Sequence, residues 1–144
     1  MFSPTRLLRL FNMFEKFSFS LIQIKKYYQA ADKDFKILKK QTSPDLIFYL
    51  CYNIIIKTAM AVCAKNSLRV KAHVGHHIEL VTKLAELLND SKIELVANKI
   101  RIKRNRDLYD GGMPTSSKEA DFYLQFCRDL MKMADNYLFP DKLI

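Results

Sequence analysis

The residues best suited to chemistry lie between Lys99 and Asp110, where five cations occur within eight positions. Arg104 differs from the other cations because it continues an apolar helical stripe. That stripe consists of Ile93, Val96, Ala97 and Ile100. At about 100° per residue, Arg104 falls within about 20° of Ile93. A guanidinium on an apolar face is costly unless it is paired or lines a cavity. Arg104 is therefore either an anion ligand or one half of a structural ion pair.

The other cations of this segment predict a solvated helix face. Lys99, Lys103 and Arg106 point away from the apolar stripe, and such charge runs usually face water. Arg101 belongs to the same run, and we also include it among the candidate anion-binding residues.

Composition favours a single helical domain with a polyanionic partner. Among 144 residues, 49% are apolar, and only 3 glycines and 4 prolines interrupt the chain, which favours long helices. The formal charge of +9 favours nucleic acid or an anionic surface, although solubility alone could explain it.

Cys51, Cys63 and Cys127 have apolar neighbours and form no CxxC pair. They predict reduced core residues of a cytoplasmic protein, without a metal or a cofactor. The first residues lack the features of a signal peptide.

The apolar periodicity predicts an all-α, up-and-down bundle of about five helices. A heptad pattern indicates a long N-terminal helix over 4–41, or two helices that share a seam. Further helices are predicted over 44–65, 76–89 and 92–108. A fifth helix is predicted to start at the capping box Ser116–Glu119 and to end before Pro140. The run 46–64 is long enough to span a bilayer, but Lys57 near its middle favours a buried helix and no membrane partner.

The predicted first helix is longer than its neighbour, and this mismatch suggests a homodimer. Residues 1–20 would form a helical extension beyond a bundle over 21–144. A second copy of the chain would cover its exposed apolar side chains. In the alternative, residues 1–20 fold back on their own domain.

The order of these motifs resembles the HEPN superfamily, the "higher eukaryotes and prokaryotes nucleotide-binding" domains. The resemblance covers about 21–139 and rests on three short motifs. These are Gly75-His76-His77, then Arg104-Asn105 with Tyr109-Asp110, and the Ser116–Glu119 cap. It implies a dimeric helical bundle that binds RNA or a nucleotide, within a toxin–antitoxin or defence-type system. It also implies a nucleotidyltransferase partner, and in many members metal-independent ribonuclease activity.

The signature arginine and polar residue of that superfamily correspond to Arg104 and Asn105, but Tyr109 occupies the place of its histidine. Tyrosine is a poor base at neutral pH, whereas a phenol can donate to phosphate. The chemistry therefore favours binding by Arg104, Asn105, Arg101 and Tyr109. Arg104 and Tyr109 remain the candidates if catalysis occurs. His76 or His77 could supply an imidazole from another helix, although they are also explained as a helix start.

Three functions follow from these patterns. The first is a dimeric RNA- or nucleotide-binding protein without assured catalysis. The second is a structural or adaptor dimerisation module, in which Arg104 is only an ion pair. The third is a metal-independent ribonuclease toxin that uses the same residues.

Overall fold

The computed structural model describes residues 13–71 and 76–143, with the side chains of residues 109, 110, 142 and 143 excepted. Within them lie five α-helices, which we number α1 (Leu21–Lys39), α2 (Pro44–Lys65), α3 (His76–Leu87), α4 (Ser91–Asp110) and α5 (Ser117–Leu138). Two short strands, β1 (Phe14–Lys16) and β2 (Leu68–Val70), and a final 3-10 turn (Pro140–Leu143) complete the described elements. The predicted all-α bundle is confirmed.

Helix α2 is the central helix and packs against each of the other four. Ser43 caps its first turn and Pro44 occupies the first helical position, where the missing N–H costs nothing. Its side chains are apolar nearly all round, so several neighbours are needed to cover them. By length and composition α2 could cross a membrane, and 67% of its most apolar window is buried within the bundle. The core helix of a soluble bundle has the same composition, so this is weak evidence for a span.

The predicted continuous helix over 4–41 is wrong within the described residues. The helix begins only at Leu21, where the Ser20 hydroxyl accepts from the Gln23 N–H and the Gln23 side chain accepts from the Ser20 N–H. This reciprocal cap fixes the start of α1. The heptad pattern holds from Ile24 onward, because the buried side chains are Ile24, Ala31, Phe35 and Leu38, whereas Leu21 at its start is 58% exposed. The part of the prediction over residues 1–12 lies outside the described residues.

Residues 14–16 form a strand because they pair with a strand that the sequence analysis missed. Phe14 is opposite Val70 and Lys16 is opposite Leu68 in an antiparallel register. Between them, Glu15 and Arg69 form an ion pair at 2.7 Å. Phe14 is 7% exposed and belongs to the core, so residues 14–16 are part of the bundle. Residues 14–16 therefore do not extend beyond the bundle as part of an overlong first helix, and they need no second copy of the chain to cover them. The homodimer stays a prediction.

The helix directions explain which residues meet. Helix α3 runs parallel to α2, since Tyr52 contacts His77 near one end and Cys63 is close to Lys83 further along. Helix α4 returns antiparallel to α3, and Thr82 contacts Glu94 near the turn between them. The start of α3 and the end of α4 therefore lie beside the same turn of α2.

Candidate functional site

Arg104 lies where the helical stripe predicts it. Ile93 and Ile100 are fully buried, and Arg104 continues their face toward the end of α4 as a half-buried residue. Its guanidinium carbon lies 4.4 Å from the centroid of the Tyr52 ring. Stacking on an aromatic face compensates part of the desolvation of a guanidinium and fixes its plane. Helix α2 therefore positions Arg104 through Tyr52.

Tyr52 connects the arginine to a histidine on a third helix. The ring is 4% exposed, and its hydroxyl oxygen is 3.3 Å from Nδ1 of His77. Burial raises the pKa of Tyr52, while Arg104 and Arg101 act in the opposite direction. The phenol is therefore protonated at neutral pH and can donate to Nδ1. In that arrangement Nε2 of His77 carries the proton and is a donor.

His77 is held in its neutral form. Its pKa is lowered from 6.5, chiefly by burial, and further by His76 and by Arg104. The two imidazole rings have centroids 4.5 Å apart. A neutral imidazole beside a guanidinium is a group that gains a proton when an anion arrives.

Among the described side chains, no carboxylate forms an ion pair with either arginine of this site. Nε of Arg101 is buried without a hydrogen-bond partner, and Arg101 is close enough to influence the pKa of Tyr52. We call Arg104, Arg101, Tyr52 and His77 the Arg104 cluster. Two guanidinium groups and an imidazole around one phenol form an arrangement suited to an anion.

The cluster contains only two of the four predicted binding residues. Arg104 and Arg101 are part of it, whereas Asn105 is exposed and lies about 100° away around α4. The side chain of Tyr109 is outside the described residues, and its predicted role stays a prediction. Sequence reasoning missed Tyr52, which stands in an apolar helix without a motif. It named His77 only as an alternative, from the Gly75-His76-His77 pattern.

The prediction that Lys103 is solvated is wrong. Its side chain is 16% exposed, and Nζ donates to the Met113 carbonyl oxygen at 2.6 Å. The ammonium also lies 5.3 Å from the centroid of the Phe48 ring. Lys103 therefore anchors the loop that follows α4. Lys99 and Arg106 are exposed as predicted.

Over residues 13–71 and 76–143, no three His, Cys, Asp or Glu side chains converge as metal ligands would. Comparisons with protein-family models, with curated proteins and with solved structures gave no significant match. The class defined by fold and site is thus an all-α bundle with an arginine–tyrosine–histidine cluster. The resemblance to the HEPN superfamily stays a prediction from the motif residues.

Proposed function

We propose that the protein binds RNA or a nucleotide and holds a phosphate group at the Arg104 cluster. The observation that carries this proposal is the environment of Arg104. Its guanidinium is half-buried, is stacked 4.4 Å above a buried tyrosine, and has no carboxylate partner among the described side chains. A structural ion pair, as the adaptor hypothesis requires, would place an acid beside it.

The geometry of the cluster suits a phosphate, and the net charge of the chain favours a polyanion that carries such groups. A guanidinium presents its N–H donors in a planar fork that matches two phosphate oxygens. Because Tyr52 already fixes the guanidinium plane, little side-chain freedom is lost when the ligand binds. Nε2 of His77 offers a further donor beside the phenol, and Arg101 adds a second positive charge that acts on the same phenol. The formal charge of +9 would draw a polyanion to this surface.

The wider role follows from the HEPN resemblance. On that basis we propose a homodimeric HEPN-like protein of a toxin–antitoxin or defence-type system, with a nucleotidyltransferase as its partner. Light scattering coupled to size-exclusion chromatography tests the homodimer directly. A monomer at micromolar concentration would remove that part of the proposal and leave the anion site untouched.

The test of the site compares two arginines of α4 that carry the same charge. Arg104→Ala removes the stacked guanidinium, and Arg106→Ala removes an exposed one. A charge-assisted hydrogen bond contributes about 1.5–3 kcal/mol, so Arg104→Ala should weaken binding of a fluorescent single-stranded RNA by about 10- to 100-fold. Arg106→Ala should weaken it by about 3-fold or less, because exposed charges act weakly.

Fluorescence anisotropy at about 50 and about 200 mM salt gives both affinities and their salt dependence. Circular dichroism establishes that each variant is folded. Equal losses in the two variants would mean that binding follows net charge alone. A variant of Arg104 that loses stability but keeps RNA affinity would favour the adaptor hypothesis.

A second candidate function, metal-independent RNA cleavage, is favoured by the neutral imidazole of His77. Cleavage requires the other tautomer of His77, in which Nδ1–H donates to the Tyr52 oxygen and the bare Nε2 accepts the proton of a 2′-hydroxyl while Arg104 neutralises the phosphate. The 2′-oxygen then bonds to phosphorus, the bond from phosphorus to the 5′-oxygen breaks, and the imidazolium returns its proton to that 5′-oxygen. In EDTA, the wild-type protein would then release products with 2′,3′-cyclic phosphate ends, and His77→Ala would abolish the release. Intact RNA after prolonged incubation with the wild-type protein would argue for binding alone.

A further inference from the structure

The three cysteines differ in a way that the sequence does not reveal. Cys51 on α2 and Cys127 on α5 are free thiols that are both 0% exposed, and their sulfur atoms are 3.1 Å apart. Cys63 is buried as well, about 18 Å further along α2 if the helix is regular. Cys51 and Cys127 are 76 positions apart in the sequence, so only the fold brings them together.

We infer that Cys51 and Cys127 form a disulfide when a disulfide-class oxidant such as oxidised glutathione is present. The two sulfur atoms need to approach by about 1 Å to reach the length of a disulfide bond. Both thiols already point into one small space between packed helices. The Cys127 thiol donates to the Cys51 sulfur, and the Cys51 thiol donates to the Tyr123 carbonyl oxygen at 3.8 Å. The inference is independent of the function proposed above.

The reaction is a pair of thiol–disulfide exchanges. One protein thiolate attacks a glutathione sulfur, breaks the glutathione disulfide and releases one glutathione thiolate. The second protein thiolate attacks the protein sulfur of the mixed disulfide, forms the Cys51–Cys127 bond and releases the second glutathione. The two protons of the protein thiols end on the two glutathione thiols. The protein loses two electrons and the glutathione disulfide gains them.

The environment of the pair makes the reaction slow. The hydrogen bond between the two thiols and their burial raise the pKa of Cys51 well above its ordinary value, so little thiolate is present at neutral pH. Entry of glutathione also requires α2 and α5 to separate locally. Once the mixed disulfide has formed, the resolving thiol is already in the same part of the structure. We therefore expect oxidation over hours rather than seconds.

Cys63 provides the internal control. Burial raises its pKa to about 12, and Lys83 and Glu86 are the charged groups that influence it. Neighbouring contacts place Thr58 beside Met131 and Asn66 beside Tyr137, so Cys63 lies next to a later part of α5 than Cys127. Cys63→Ala should therefore leave the oxidation unchanged. Cys51→Ala and Cys127→Ala should each abolish it.

The experiment incubates the full chain with oxidised glutathione at 37 °C for about a day and follows intact mass under non-reducing conditions. Wild type and Cys63→Ala should lose about 2 Da and yield a Cys51–Cys127 linked peptide after digestion. The bond closes a long loop, so the Tm should rise by about 10 °C and return on reduction. Retention of all three free thiols, a stable glutathione adduct, or a disulfide that contains Cys63 would each overturn the inference.

Discussion

The protonation of His77 gives the sharpest prediction, because it links the geometry of the Arg104 cluster to a measurable pH dependence. Burial, His76 and Arg104 together lower the pKa of His77 below 6.5 in the free protein. A phosphate at Arg104 would neutralise the guanidinium and place a negative charge near the imidazole. The pKa of His77 in the complex is therefore higher than in the free protein, and binding takes up a proton at a pH between the two pKa values.

The sign and size of the effect follow from linkage. Affinity is constant above the pKa of the complex, rises as the pH falls through it, and levels off below the pKa of the free protein. Uptake of one proton on binding changes the affinity by at most tenfold per pH unit. Unit charges about 4 Å apart interact by about 4 kcal/mol at an effective dielectric constant of about 20. This value is an upper limit on the free energy that protonation of His77 can add to binding. Since the site is only partly buried, we expect less than that limit and a gain in affinity of about 10- to 100-fold across the transition.

The assay is anisotropy of a short single-stranded RNA without a terminal phosphate, at constant ionic strength between about pH 5.5 and pH 8. Its phosphodiesters keep one negative charge each throughout this range, so the titrating group belongs to the protein. His77→Gln should abolish the dependence. His76→Gln is the matched control, because it removes a neighbour that lowers the pKa of His77. It should keep the dependence and move its midpoint to higher pH.

Affinity that does not change with pH in the wild-type protein would refute the placement of the phosphate beside His77. A dependence that persists in His77→Gln would assign the proton to another group. Either result would leave open binding through net charge, which the comparison of Arg104→Ala with Arg106→Ala resolves.

Two stability predictions follow from packing. Phe14→Ala should lower the free energy of unfolding by about 3 kcal/mol in urea titrations, because the ring is 7% exposed in the core; a change below about 0.5 kcal/mol would indicate a detachable N-terminal segment. Gly112→Ala should cost about 2 kcal/mol more than Gly111→Ala in the same assay. Both glycines have positive φ, but a Cβ at Gly112 would lie 2.9 Å from the Asp107 Cα, whereas at Gly111 it would meet nothing within 4 Å. Equal losses would contradict this reasoning.

Capping and periodicity predicted most helices from the sequence because both are local properties. The Ser116–Glu119 capping box starts α5 as expected, and α2 covers the predicted range 44–65, with Ser43 as its cap. The predicted start of the first helix was wrong because two local signals, the heptad pattern and the Ser20–Gln23 cap, point to different residues. The heptad pattern extends back through Phe14, but the Ser20–Gln23 cap makes α1 begin at Leu21, and residues 14–16 pair with β2 instead of continuing the helix. Strand pairing between residues far apart in sequence has no local signal.

The sequence by itself determined that Arg104 lies on a buried stripe of a helix and that the chain has the composition of an all-α bundle. It could not reveal that Tyr52 would lie beneath the guanidinium or that His77 would contact the same tyrosine. Those contacts exist because α3 runs parallel to α2 and α4 returns antiparallel to α3, which brings three distant segments to one turn of the central helix. Helix direction depends on which apolar faces pack together, and that choice is made only when the whole core forms.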